Sequence, residues 1–298
     1  QRSRSPEAIC AEVAELAAAG TEEIILVAQD TTSYGRDLAG RPTLAALLDR
    51  LEHLVDGPRW IRVLYTHPRY WNEELIRAYE AGRRLVPYID VPIQHASDRM
   101  LSLMGRGHTR ADLERLVREL RRRIPDVILR TTVLVGHPGE REEDMTVLLR
   151  FLEEFPFDRL GAFAYSPVDE TRSESMPDPV GVEVAAERRG RVLELQRRQA
   201  VFLQQRRKGR EYDLLIEGVH RDRGYATARS YGETPEIDGI VYCKAPGAVR
   251  SGRVEPGDWV RSRVIGAGSY DLVAVPVDPA AAGERVRSGS SRPGGGKP

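Results

Sequence analysis

The strongest constraint on this chain is an alternation of two hydrophobic periods. Five apolar, β-favouring runs recur at residues 23–28, 60–64, 88–93, 127–135 and 160–164. Helical stripes separate them: Leu44, Leu47, Leu48 and Leu51, then Leu113, Leu116, Val117 and Leu120, then Met145, Leu148, Leu149 and Leu152. A strand-helix repeat of roughly 30–40 residues predicts βα units around a parallel sheet. Ser5-Pro6-Glu7, Asn72 and Thr109-Arg-Ala-Asp112 mark helix starts. The chain begins with Gln1 and a helix, so a sheet of this kind is expected to have another strand, in an amino-terminal piece missing here.

The run at 127–141 organises the rest. Val127, Ile128, Leu129, Val133, Leu134 and Val135 predict a strand covered on both faces. Gly136 and Gly139 allow a sharp turn and close approach of a ligand, and Pro138 stiffens it. Glu140 is expected at the positive end of the following helix.

Pro177-Asp-Pro179 breaks the pattern. A basic helix is expected over 182–208, with Val184, Val192, Leu195 and Phe202 on one stripe. Short alternating strands then run from 211 to 277, as in a small antiparallel barrel like an oligonucleotide-binding fold. The expected division is a partial βα barrel over 1–180, a connecting helix over 181–209, a β-barrel over 210–278 and a disordered Gly/Ser/Pro-rich tail over 279–298.

Composition excludes several classes. Lys+Arg and Asp+Glu balance at 45 each, so the molecule as a whole has no gross attraction for nucleic acid or anionic membrane. No stretch reads as a bilayer span, so no membrane partner is expected. Cys10 and Cys243 cannot form a disulfide framework, which favours the cytoplasm; both read as packing residues.

In a parallel βα barrel, ligand-binding residues gather at the carboxyl ends of the strands. Those ends carry Gln29 and Asp30, Tyr65 and His67, Gln94 and His95, the 136–140 turn, and Tyr165 with Ser166. Arg130, inside an apolar strand, demands an anion or a carboxylate partner. The turn lacks the Gly-Lys-Ser/Thr of a phosphate loop. His67, His95 and His137 form a minority candidate for a metal site, without ligand-like local spacing. The segment 210–278 has nine Lys/Arg against eleven Asp/Glu, which argues for weak RNA binding or none. Its loop acids Glu233, Glu236 and Asp238 read either as a solvated turn or as a surface for a basic partner.

Four motifs carry a resemblance. Gln29-Asp-Thr-Thr-Ser-Tyr-Gly35, Tyr88-Ile-Asp-Val-Pro-Ile-Gln-His-Ala-Ser-Asp-Arg-Met-Leu101, Arg130-Thr-Thr-Val-Leu-Val-Gly-His-Pro-Gly-Glu140 and Ala162-Phe-Ala-Tyr-Ser-Pro167 resemble the radical S-adenosylmethionine methylthiotransferases. The small barrel is similar to the TRAM module that ends those enzymes. Gln94-His95-Ala96-Ser97 and Pro235-Glu-Ile-Asp-Gly239 resemble the branch that modifies ribosomal protein S-twelve, where tRNA-modifying relatives have Gln-Ser-Gly-Ser at the first position.

The resemblance implies a partial (β/α)6-type radical SAM barrel followed by a TRAM barrel. It implies S-adenosylmethionine and 4Fe-4S clusters as cofactors, with a 5′-deoxyadenosyl radical taking hydrogen from the β-carbon of an aspartate of S-twelve before methylthio insertion. Gln94, Arg130, Gly136, Gly139, Glu140 and Tyr165 would hold the cofactor by position. The catalytic residues stay unassigned and no metal ligand carries over, because two distant cysteines cannot supply three or four thiolates. The family's Cys-x3-Cys-x2-Cys loop is not in this sequence, so this chain alone is expected to be inactive. Glu170 stands where the family has glycine. Three alternatives stay open: a tRNA-modifying relative, a metal-dependent βα-barrel hydrolase or lyase using His67, His95 and His137, and an RNA-binding module.

Overall fold

A computed structural model describes residues 2–167, 173 and 175–278. Glu170 and the tail from 279 lie outside the described residues. The chain divides into two compact units, one of residues 1–57 and 61–199, the other of 58–60 and 200–298.

The first unit follows the predicted alternation: α1 (Pro6–Ala18), β1 (Glu23–Leu26), α2 (Leu44–Glu52), β2 (Trp60–Val63), α3 (Glu73–Ala81), β3 (Leu85–Asp90), α4 (Asp98–Leu103), α5 (Arg110–Arg123), β4 (Ile128–Val135), α6 (Glu142–Glu154), β5 (Arg159–Ala164) and α7 (Val182–Gln205). Ser5, Thr43, Asn72 and Thr109 side chains accept backbone N–H groups at the starts of α1, α2, α3 and α5, which fixes where these helices begin. The sheet order is β1-β2-β3-β4-β5, so each unit of the chain lies beside its predecessor. β2 through β5 pair in parallel.

One sheet face packs with the helices. Ile61, Val63, Ile89, Val91, Leu129 and Val133 join the stripes of α2, α3, α5 and α6 in one apolar cluster. Val133 and Val135 are fully buried, whereas Arg130, Thr132 and Leu134 alternate with them and are half-buried. The expectation of a strand covered equally on both faces is therefore corrected for β4. Its second half alternates because helices cover only one side.

Three further expectations change. β1 is not a buried strand: only Ile24 is buried and Val27 is 61% exposed. It ends the sheet order, and an open groove of about 950 Å³ runs between it and α1, lined by Ile9, Val13, Leu16, Ile24, Leu26 and Val27. On α7, Val192 and Leu195 are buried as expected, but Val184 and Phe202 are exposed. The buried stripe includes Ala185, Arg188 and Gln196 instead, so part of the basic character of α7 is used internally. α4 went unforeseen because six residues carry too little periodicity to register.

The second unit holds β6 (Glu211–His220), β7 (Tyr225–Arg229), β8 (Val241–Lys244), α8 (Pro246–Arg250), β9 (Trp259–Ala267) and β10 (Leu272–Pro276). The strands close into a barrel in the order β10-β8-β7-β6-β9 around Leu214, Ile216, Val241, Val260 and Leu272. The expected wholly antiparallel barrel is corrected at one seam, where β8 and β10 run parallel. Cys243 packs in this core and Cys10 against the core of the first unit, as packing residues.

Candidate functional site

The carboxyl ends of β2, β3 and β4 share a backbone device. Tyr65 (φ 57°), Gln94 (φ 65°) and Gly136 (φ 76°) each enter the left-handed region one to four residues beyond their strand. That conformation is uncommon for residues with a side chain, and a repeat at neighbouring strand exits marks a built edge. Gln94 is stitched to β4, with its N–H donating to Thr132 O at 2.9 Å and its carbonyl accepting from Leu134 N at 2.8 Å.

Three polar braces hold this edge. Arg130 finds its carboxylate in Asp90, the residue beside it in the β3–β4 register, at 2.8 Å. The other Asp90 oxygen accepts from Tyr65 N at 2.9 Å, so one buried acid ties β2, β3 and β4 together. Glu140 forms the second brace. Its buried carboxylate accepts from Gly136 N at 2.8 Å and from Arg188 of α7 at 2.7 Å, and its other oxygen lies 3.3 Å from His95 Nε2. His95 Nδ1 accepts the Ala96 and Ser97 N–H groups, which leaves the proton of the neutral ring on Nε2, close to Glu140 but not hydrogen-bonded to it.

Asp144 makes the third brace. It accepts from Ser97 Oγ at 2.6 Å, from Arg99, and from Arg141 N at 2.9 Å, joining the starts of α4 and α6. Burial pushes this carboxyl up, but the hydrogen bonds from Arg99, Ser97 and Arg141 outweigh it and hold the group below its usual range. Glu142, Glu143 and Asp144, not Glu140, are the acids in the first turn of α6, and Asp144 caps it. The expected role of Glu140 at a helix end is corrected accordingly: its carboxylate is enclosed and locks the turn.

The expected site residues thus separate into two groups. Gln94, Arg130 and Tyr165 lie at or beside the half-open side of the sheet edge, with Thr132, Leu134 and the 55%-exposed Phe163 near them in the β4–β5 register. Gly136, Gly139 and Glu140 shape the turn. A Cβ on Gly136 would lie 2.4 Å from the Ala185 Cβ, so this glycine admits α7. Gly139 donates to Asp178 O at 2.7 Å and its carbonyl accepts from Arg99 at 2.7 Å. The Tyr165 ring packs 5.3 Å from His137, and its hydroxyl is buried without a hydrogen-bond partner among the described residues.

The three-histidine metal site does not form. His95 faces Glu140, His137 packs on Tyr165, and His67 packs on Tyr70 and His108. Among the described residues no group of three or more His, Cys, Asp or Glu is arranged to hold a metal ion. The acidic loop is corrected as well. Glu233 is buried, taken up by Arg207 and Ser230, and Asp238 accepts from Thr234 N, which leaves Glu236 as the exposed acid. Sequence reasoning missed Asp90, Arg188, Arg106 and His108. Asp90 had a signal, an acid inside an apolar strand; Arg188 had none, being 48 residues from its partner.

Comparison with known proteins agrees with this architecture. Residues 1–152 match the radical SAM superfamily and residues 209–277 match the TRAM domain. Similar proteins include three named ribosomal protein uS12 methylthiotransferase RimO. That of Desulforudis audaxviator is 44% identical over 273 residues, covering 92% of this chain and 59% of the relative. That of Pelotomaculum thermopropionicum is 43% identical over 272 residues, 91% of this chain and 60% of the relative. That of Symbiobacterium thermophilum is 41% identical over 279 residues, 93% of this chain and 56% of the relative. The chain therefore spans a little over half the length of these relatives. With five strands in sequence order, polar strand exits along one edge and a family match over more than half its length, the chain belongs to the radical SAM superfamily.

Proposed function

We propose that this chain is the substrate-facing part of a methylthiotransferase that adds a methylthio group to the β-carbon of an aspartate in ribosomal protein uS12. The observation that carries the reading is the kinship with relatives bearing that name, 41% to 44% identical over more than nine-tenths of this chain. Gln94, Arg130 and Tyr165 are the residues we assign to S-adenosylmethionine. The Tyr165 hydroxyl, buried and without a hydrogen-bond partner among the described residues, suits a ligand that completes its hydrogen bonding. The half-buried Leu134 and the exposed Phe163 beside it offer apolar surface to a nucleoside, and Thr132 offers a hydroxyl. Glu140, Gly136 and Gly139 act through the turn, by keeping the β4 exit fixed. When bound beside an iron-sulfur cluster, S-adenosylmethionine supplies the species that takes hydrogen from the substrate carbon.

The residues of this chain do not fit a 4Fe-4S cluster. Cys10 and Cys243 are its two cysteines, they fall in separate units, and Cys243 is buried in the barrel core. No step is assigned through a cluster held by these residues. The test joins the part of a longer relative that this chain does not match to this chain, reconstitutes the fusion protein anaerobically with iron and sulfide, and adds S-adenosylmethionine with uS12 or with tRNA. Mass spectrometry is expected to find the methylthio group on one aspartate of uS12. Modification of tRNA alone would replace this reading with the tRNA-modifying one.

A further inference from the structure

The β1, β2 and β3 exits carry a cationic cluster that the proposed function leaves unused. His67 follows β2, and its backbone N–H donates to Thr32 Oγ1 at 3.0 Å, tying it to the β1 exit. Arg106, in the loop between α4 and α5, donates to Pro92 O at 3.0 Å, two residues before Gln94. The His67 and His108 rings meet edge to face at 5.6 Å. A Cβ on Gly107 (φ 66°) would lie 2.5 Å from Arg69 Nη1, so the Arg69 guanidinium lies over the glycine between Arg106 and His108. Arg36 stacks on Tyr70 at 3.8 Å and Arg69 approaches the same ring at 5.8 Å.

Elsewhere on this unit, Arg62 is paired with Glu23, Arg130 with Asp90 and Arg188 with Glu140. Among the described residues the exposed Arg36 and Arg69 and the half-buried Arg106 form no ion pair, and Arg106 Nε and His108 Nε2 are buried without hydrogen-bond partners. Two acids face the cluster: Asp30, whose carboxylate accepts from the Thr32 and Ser33 hydroxyls, lies toward Arg106 and His67, and Asp112 lies toward His108. His108 Nδ1 donates to Arg106 O at 3.2 Å, so the unsatisfied donor is Arg106 Nε, and like charges held around a buried guanidinium N–H are costly without an anion.

We propose that this cluster receives a carboxylate side chain of the protein substrate, with Arg106 as the charged donor, His67 Nε2–H as a neutral one and Arg69 at the rim. The assignment to a protein substrate rests on the methylthiotransferase reading above. The donor set supports it. His67 Nδ1 accepts from Arg69 N at 3.2 Å, so the neutral ring presents an N–H at Nε2. Burial, then the positive charges of Arg106 and His108 with that of Arg69, outweigh Asp30 and push His67 down to about 4. Burial and Arg106 likewise hold His108 low. One buried guanidinium N–H with one imidazole N–H beside it suits one small anion. A nucleic-acid backbone would call for a longer basic stripe on the surface.

The test follows the His67 and His108 ring nitrogens of the histidine-labelled chain by NMR. N-acetyl-aspartate amide, N-acetyl-asparagine amide and inorganic phosphate are titrated in separate arms. Aspartate amide is expected to shift both rings saturably and to raise the His67 pKa by about one unit, as an opposite charge does. The asparagine compound should do neither. Arg106→Met should weaken aspartate amide binding about ten-fold, or about 1.4 kcal/mol, and the exposed Arg69→Gln a smaller amount in the same direction. Equal response to both amides, tighter binding of phosphate, or unchanged affinity in both variants would overturn the site. Response to aspartate amide without association of uS12 would keep the site and remove the methylthiotransferase reading. Association of uS12 without response to aspartate amide would do the reverse.

Discussion

Glu140 is enclosed by Gly136, Arg188 and His95, with its side chain fully buried. Replacing it by glutamine removes the charge and leaves the buried Arg188 with only the exposed Glu142, 4.0 Å from its Nε, as a counter-ion. Breaking a buried pair from one side costs about 3 kcal/mol, and Glu140→Gln is expected to lower stability by that amount in urea denaturation. Glu140→Leu combined with Arg188→Met should recover much of the loss, since an apolar pair of similar volume carries no desolvation penalty. His67 gives a pH dependence of defined sign. An imidazole near 4 when folded and 6.5 when unfolded takes up protons on unfolding between those values. Its contribution to stability is therefore full above pH 6.5 and is lost as the pH falls toward 4. Urea midpoints measured across that window should fall less steeply in His67→Gln than in the parent chain.

At the scale of elements, the β4 exit depends on how closely α7 approaches it. Gly136 sits at φ 76°, and a Cβ there would collide with Ala185. Gly136→Ala is expected to cost about 2 kcal/mol from backbone strain and overpacking combined. Ala185→Gly in the same molecule should relieve the collision and leave the strain, so thermal denaturation should show partial recovery only. The turn itself was legible, because Gly-x-Pro-Gly after an apolar run leaves few other conformations. What the glycine makes room for was not legible, since α7 is 49 residues further on and its stripe was read on Val184 and Phe202. Arg130 could be read as needing a carboxylate because a lone charge in an apolar strand is unstable. Its partner Asp90 sits in another strand, which only the register supplies. The parallel β8–β10 seam was hidden for the same reason: a period of two reports which face a residue takes, not which strand lies beside it.

For the whole molecule, charge and cysteine count set the limits on what this chain does by itself. The 45 basic and 45 acidic residues cancel, and no described helix is long and apolar enough to cross a membrane. A 4Fe-4S cluster is bound by about four thiolates, or three with one site left to a ligand. Cys10 is half-buried against the core of the first unit. Cys243 lies in the barrel core, where burial pushes its thiol up, away from the thiolate that iron requires. A hydrogen bond from or to Ser262 at 3.7 Å holds it there. Anaerobic reconstitution of this chain with iron and sulfide should therefore leave no visible-range charge-transfer absorbance after desalting, and well under one iron per chain by chemical analysis. Denaturing the barrel should free Cys243 for alkylation, whereas in the folded chain Cys10 should react first. A desalted product with about four irons per chain would mean that ligands other than these cysteines assemble a cluster, and would overturn the conclusion that the residues of this chain do not fit one.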